Sequence, residues 1–166
     1  MIRTISDFTK NWAYESQSTL KVFEQIGDAE MNTKLHENVR SLAFLAWHLT
    51  ITTGEMLGKA GLKINSPEEH SKAPGNMKAI VEAYKTAAES VASEVEKCWE
   101  DNDLETKVEM YGDTWEKGKV LEILITHQAH HRGQMTVIMR LLGLKVPGVY
   151  GPSKEEWVEY GMAPMD

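Results

Sequence analysis

The sequence predicts an all-α protein: a four-helix bundle with a long crossover connection and a short C-terminal helix. Three observations predict it. Apolar residues recur at helical spacing through four long segments. Capping residues, glycines and prolines punctuate the chain between those segments. No convincing pair of alternating strands and no repeat of fixed period interrupts the pattern. With 166 residues the chain can bury one sizeable core, so residues 1–166 are expected to form a single domain.

The first helix is expected to start at Thr4 or Ser6, either of which can serve as its N-cap. Phe8, Trp12, Leu20, Phe23 and Ile26 supply its apolar positions, and Gly27 is its stop. The second helix opens between Asn38 and Ser41 and runs to about Lys59, with Gly61 just beyond. Phe44, Leu45, His48, Ile51 and Met56 form its inner stripe, and Ser41, Thr52 and Glu55 lie close beside it. Leu62 to Gly75, broken by Pro67 and Pro74, reads as an exposed crossover. The third helix spans Asn76 to Trp99 and buries Ile80, Tyr84, Ala87, Ala88, Val91 and Val95. Asp101 to Asp113 is polar and irregular, with a brief alternation at Lys107–Tyr111 that suits a short extended piece. Thr114 stands where an N-cap is wanted, ahead of a long helix from Trp115 to Leu142 that Gly143 ends. Val146 to Pro152 reads as rigid loop. Ser153, followed by Glu155 and Glu156, opens a short helix to about Tyr160.

The fourth helix carries the chemistry. At about 100° per residue, Val120, Ile123, Leu124, Ile138, Leu141 and Leu142 share one face, with His127 and His131 in its middle. Their i, i+4 spacing stacks the two imidazoles one turn apart. An unpaired buried polar group costs a few kcal/mol, so imidazoles on a buried face need polar partners. A divalent metal is one such partner, and His48 offers a third imidazole if the second and fourth helices face each other. Bundles build metal sites from side chains on facing helices. Glu55, two turns beyond His48, and Gln134, close to the line of the histidine pair, are the candidates to orient a ligand or a bound water. No catalytic residue is assigned.

Three imidazoles leave a coordination position open, the mark of a catalytic rather than a structural site. Water in that position is acidified toward neutral pH, and a thiolate can take its place. Zinc or nickel suits the donor set first, with iron or manganese behind them. Taken singly, a buried histidine is more often a satisfied core residue than a ligand; the pair changes the balance. His130 points away from the pair by roughly 60° or more and suits a boundary or interface. His36 and His70 fall in loops. Arg132 is expected to point outward or to pair with a carboxylate, in a structural role. Trp47 suits packing better than a pocket wall. Cys98, the only cysteine, excludes an internal disulfide and a cysteine-based zinc site, and a passive role is expected for it.

A net charge of −7 and no Lys/Arg cluster argue against a nucleic-acid partner. No apolar run is long enough to cross a bilayer, and Met1–Lys10 has no signal-like core, so a cytoplasmic protein without a membrane partner is expected.

The motif His127-x-x-x-His131-Arg132-Gly133-Gln134, with Ala46-Trp47-His48-Leu49 on the second helix, resembles the DinB superfamily. That superfamily includes the YfiT-like metal-dependent hydrolases. The resemblance extends to Leu141-Leu142-Gly143 and to the tail Pro147-Gly148-x-Tyr150-Gly151-Pro152, so it covers essentially the whole chain. It implies a divalent metal held by His48, His127 and His131. Characterised relatives use low-molecular-weight thiols such as bacillithiol or mycothiol in transferase and isomerase reactions, and relatives often form homodimers. The expected protein is therefore a metal-dependent enzyme of thiol-dependent transferase or hydrolase type acting on a small molecule. The alternative is a non-catalytic metal-binding or stress-related interaction protein in which the metal stabilises the bundle. A weaker third reading is a helical dimer with buried, metal-free histidines.

Overall fold

The computed structural model describes residues 2–164. Four long helices dominate it: α1 (Ile5–Phe23), α2 (Leu42–Lys59), α3 (Met77–Cys98) and α4 (Lys117–Leu141). A two-stranded antiparallel hairpin, β1 (Lys107–Met110) and β2 (Asp113–Glu116), separates α3 from α4. A 3-10 turn at Asp101–Glu105 precedes the hairpin, and another at Glu156–Tyr160 takes the place of the expected terminal helix. No helix among the described residues is long and apolar enough to cross a membrane.

Capping sets the helix starts. Thr4 Oγ1 accepts from the Asp7 amide at 3.0 Å, and the Asp7 carboxylate accepts from the Thr4 amide at 3.2 Å, so both halves of a capping box are present. Ser41 and Asn76 cap α2 and α3 through their side chains. Replacing Thr4 by alanine is expected to cost about 1 kcal/mol. Urea denaturation of the variant beside the parent protein checks this, and an unchanged midpoint would mean that the cap is redundant.

α1 and α2 each pack against both α3 and α4, so α1 lies diagonal to α2, and α3 to α4. The long connection after α2 joins neighbours. It is drawn close to α2 at Gly54, where an added Cβ would stand 1.8 Å from Ser66 Oγ, and by Trp47, whose indole donates to the Ser71 carbonyl at 2.8 Å. Trp47 is thus a packing residue, as its sequence suggested. Phe8, Trp12, Phe23, Leu42, Leu45, Leu49, Ile80, Tyr84 and Leu121 fill the centre of the bundle.

The structure departs from the sequence expectation in three further places. Thr114, Trp115 and Glu116 belong to strand β2, paired with Glu109, Val108 and Lys107, so Thr114 is no helix cap and α4 begins two residues later than expected. The hairpin loop is Tyr111–Gly112, with positive φ at both residues (55° and 84°). Glycine adopts that conformation freely, but a residue with a Cβ does so at roughly 1–2 kcal/mol. This is why Tyr111 gave no turn signal. Phe44, expected on the inner stripe, is half exposed at the rim, under the Arg40 guanidinium.

The third departure is the rotation of α4. Its buried residues are Val120, Leu121, Leu124, Gln128, His131, Arg132, Met135, Ile138 and Met139, while Leu141 is 68% exposed. The buried face is turned toward Gln128 and Arg132, two polar residues satisfied by partners inside the bundle. Arg132 therefore points inward, paired with Glu15, and its outward alternative is excluded.

Candidate metal centre

α2 and α4 face each other, as the histidine reading required. His48 projects from α2, and His127 and His131 project from successive turns of α4. His127 Nε2 lies 3.2 Å from His48 Nε2 and 3.1 Å from His131 Nε2, and one ligand atom from each ring falls within 4.8 Å of the others. His131 is buried; His48 and His127 are partly buried.

Hydrogen bonding at the back of the cluster fixes one ring. The Nδ1 of His131 lies 2.8 Å from Gln134 Oε1, an oxygen that can only accept, so Nδ1 carries the proton and Nε2 turns a lone pair inward. The amide nitrogen of Gln134 in turn lies 3.2 Å from His130 Nε2. Gln134, which the sequence set close to the line of the histidine pair as a candidate to orient a ligand or a bound water, meets the His131 ring at this nitrogen. His130 itself is exposed, and its part is to hold Gln134.

Burial keeps these rings neutral. It is the largest cause holding His48 and His127 to pKa values of about 4, and repulsion from His131 lowers both further. His131 is lowered too, again mainly by burial. Neutral imidazole is the ligand form. It also leaves a problem that protons cannot solve. With the His131 Nε2 lone pair facing inward, one proton on His127 Nε2 can bridge to His131 or to His48, not to both. A cation accepts all three lone pairs at once. Two nitrogens bound at about 2.0–2.1 Å to a common ion stand roughly 3–3.4 Å apart in octahedral to tetrahedral geometry, which matches both spacings from His127 Nε2. The three residues therefore fit a divalent cation.

The shifts also give a pH dependence for the metal-free protein. Unfolded histidines titrate near 6.5, and His48 and His127 in the fold near 4. Between these values the unfolded chain takes up protons that the folded chain refuses. Stability is thus full above pH 6.5 and is lost as pH falls through about 4. Urea midpoints across that window should fall with pH, and His127→Gln should flatten the fall.

The cluster opens on a pocket of about 450 Å³. His48 and His127 form one part of its wall; Ile51, Thr52, Met56 and Ile123 continue it. Glu55, Tyr111, Glu69 and His70 complete the lining. Glu55 does not reach the histidines through any hydrogen bond. Its carboxylate accepts from Tyr111 OH at 2.6 Å and pairs with Lys59 at 3.0 Å. Burial first, then the Glu55 hydrogen bond, holds the Tyr111 phenol well above its ordinary pKa, so it stays a donor. Tyr111 and His70 were not anticipated as pocket residues. The only sequence sign for Tyr111 was the glycine that follows it, and His70 lies in a connection whose path the sequence does not specify. His36 is a surface residue whose Nδ1 accepts from the Asn38 amide at 3.1 Å. Cys98 is exposed at the end of α3.

A four-helix bundle that gathers three histidines from two facing helices at an open pocket is the class of protein that fold and site define. The chain belongs to the DinB family, whose model matches residues 1–162. It is 33% identical over 162 residues to the protein named Uncharacterized protein YrdA of Bacillus subtilis strain 168, an alignment covering 98% of this chain and 97% of that one. Among solved structures it is similar to a DinB-like protein from Bacillus cereus ATCC 10987, with 34% identity and a TM-score of 0.85, covering 90% of this chain and all of that one. A second DinB-like protein, YjoA from Bacillus subtilis, shares the fold at 16% identity, with a TM-score of 0.67 over 89% of this chain and 99% of its own.

Proposed function

We propose that this protein binds one divalent cation through His48, His127 and His131 and uses it as a metal-dependent enzyme, of thiol-dependent transferase or hydrolase type, on a small molecule. The observation that carries the reading is the convergence of three neutral imidazoles, two of which, His48 and His127, line a pocket open to solvent. Zinc or nickel suits three nitrogen donors first, and iron or manganese is the further choice. Bound there, the cation would supply Lewis-acid polarisation and would lower the pKa of a water or thiol in its open position.

The chain's own groups do the rest. Gln134 holds the His131 ring by its Nδ1 proton. Ile51, Met56 and Ile123 give the pocket apolar walls that exclude water from part of a substrate. The Tyr111 hydroxyl donates to Glu55, which leaves its oxygen free to accept from a ligand in the pocket. Glu55 is already held by Tyr111 and Lys59, so it positions the tyrosine rather than serving as the base. A low-molecular-weight thiol as co-substrate, a homodimeric state and a cytoplasmic location belong to the same reading.

The test is to load the protein with zinc, nickel, iron or manganese and to follow turnover of electrophiles with a low-molecular-weight thiol, and of simple esters and amides without one. Turnover that needs both the metal and His127 is expected. A loaded protein that turns over none of them, yet melts higher with metal, would favour the alternative: a non-catalytic protein in which the metal ties α2 to α4.

A further inference from the structure

Behind the histidine cluster, inside the bundle, lies Gln128. It is fully buried and follows His127 directly in the chain. Its one side chain meets a group from each of the other three helices. Oε1 accepts from Tyr84 OH of α3 at 3.0 Å and stands 3.1 Å from Thr19 Oγ1 of α1. Nε2 donates to the carbonyl of Leu49 on α2 through a long bond of 3.4 Å. Leu49 in turn follows His48. Thr19 continues the network, because it also accepts from Arg132 at 3.0 Å, and Arg132 follows His131. Every histidine of the cluster thus has, as its next residue, a group tied into one buried polar network.

A buried amide is not needed to fill space, since leucine or methionine would do that without polar atoms to satisfy. Buried polar groups whose partners all come from different elements fix register and rotation, because any slip leaves several donors and acceptors unpaired. A bundle held only by apolar contacts tolerates small rotations of a helix about its axis. Such a rotation of α4 would carry His127 and His131 away from His48. We infer that Gln128 is a positioning residue for the three-histidine cluster, locking α4 against α1, α2 and α3 so that the rings converge before any ion arrives. The inference rests on the metal reading for its purpose, and on the hydrogen bonds alone for its geometry.

The test pairs Gln128→Met with Tyr84→Phe. The double variant removes the amide and the phenol together, so neither is left without its partner. The Thr19 hydroxyl keeps the Glu15 carbonyl, 3.1 Å away. Cobalt affinity and the cobalt visible spectrum are measured against a competing chelator. In the metal-free protein, proton–proton NOEs between the histidine rings are recorded; their centroids stand 4.5–5.0 Å apart. Val91→Ala, a core change outside the network, controls for loss of stability. The double variant is expected to fold, to lose about 10–100-fold in cobalt affinity, the range for groups that orient metal ligands, and to lose the His48–His127 NOE. Val91→Ala is expected to keep both.

Wild-type affinity and wild-type ring contacts in the folded double variant would overturn the inference and leave Gln128 a satisfied core amide. If the double variant does not fold, Tyr84→Phe alone decides on the same two readouts. A several-fold loss of affinity supports the inference and no change overturns it. If the parent protein takes up no cobalt, the metal reading fails, and the ring contacts of the metal-free variants decide the inference by themselves.

Discussion

His48→Ala is expected to lower divalent-metal affinity by at least about 100-fold, beyond the 10–100-fold that loss of an orienting group costs. The reason is geometric. His127 and His131 share one helix, and only His48 brings α2 to the site. Without it two imidazoles remain on a single face. The fold should survive, because His48 is only partly buried and its loss relieves the crowding of lone pairs in the metal-free state. Binding to the native state alone stabilises by about 2.7 kcal/mol at a metal concentration of 100 times Kd. The parent protein should therefore melt several degrees higher with metal, and His48→Ala should not. Equilibrium dialysis and thermal melts with and without metal check both statements. Full metal retention in His48→Ala would remove α2 from the site.

Arg132→Ala is expected to destabilise the protein by about 3–5 kcal/mol, the cost of breaking a buried ion pair. Arg132 is 2% exposed. Its guanidinium bonds the Glu15 carboxylate at 2.5 Å, the Glu15 carbonyl at 3.0 Å, Thr19 Oγ1 at 3.0 Å and the Tyr150 hydroxyl at 2.6 Å. Tyr150 also donates to Glu15, and Tyr14 stacks on Tyr150, so the same cluster fastens the C-terminal tail to α1. Removing the arginine strands a carboxylate in the core. Replacing both charges, Arg132→Leu with Glu15→Leu, should recover most of the loss, because no buried charge is then left alone. Urea denaturation of the two single variants and the double measures the coupling. A double variant as unstable as the sum of the singles would show that packing of the arginine stem, and not its charge, matters.

Much of the fold was legible in the sequence because its determinants are local. Thr4, Ser41 and Asn76 announce helix starts, and Gly143, at φ 73°, ends α4. The pairing of His127 with His131 follows from helical spacing alone. What stayed hidden depends on partners distant in the chain. Gln128 looks like a surface residue, and Arg132 like one that points outward or pairs with a carboxylate, until Thr19, Tyr84 and Glu15 are brought to them, so the apolar stripe of α4 was drawn about one position off. The first strand was legible as a short extended piece at Lys107–Tyr111, but its partner strand was missed because the loop begins with tyrosine, a residue that resists positive φ and so carries no turn signature. Glu55 lies on the expected face, but its capture by Tyr111 depends on that unseen hairpin.

The most direct test of the three-histidine centre is an anomalous-scattering map from crystals of metal-loaded protein, collected at the absorption edge of the added metal. One peak is expected within coordination distance of the Nε2 atoms of His48, His127 and His131. A peak bound elsewhere, or three rings still in mutual contact with no ion between them under saturating metal, would contradict it.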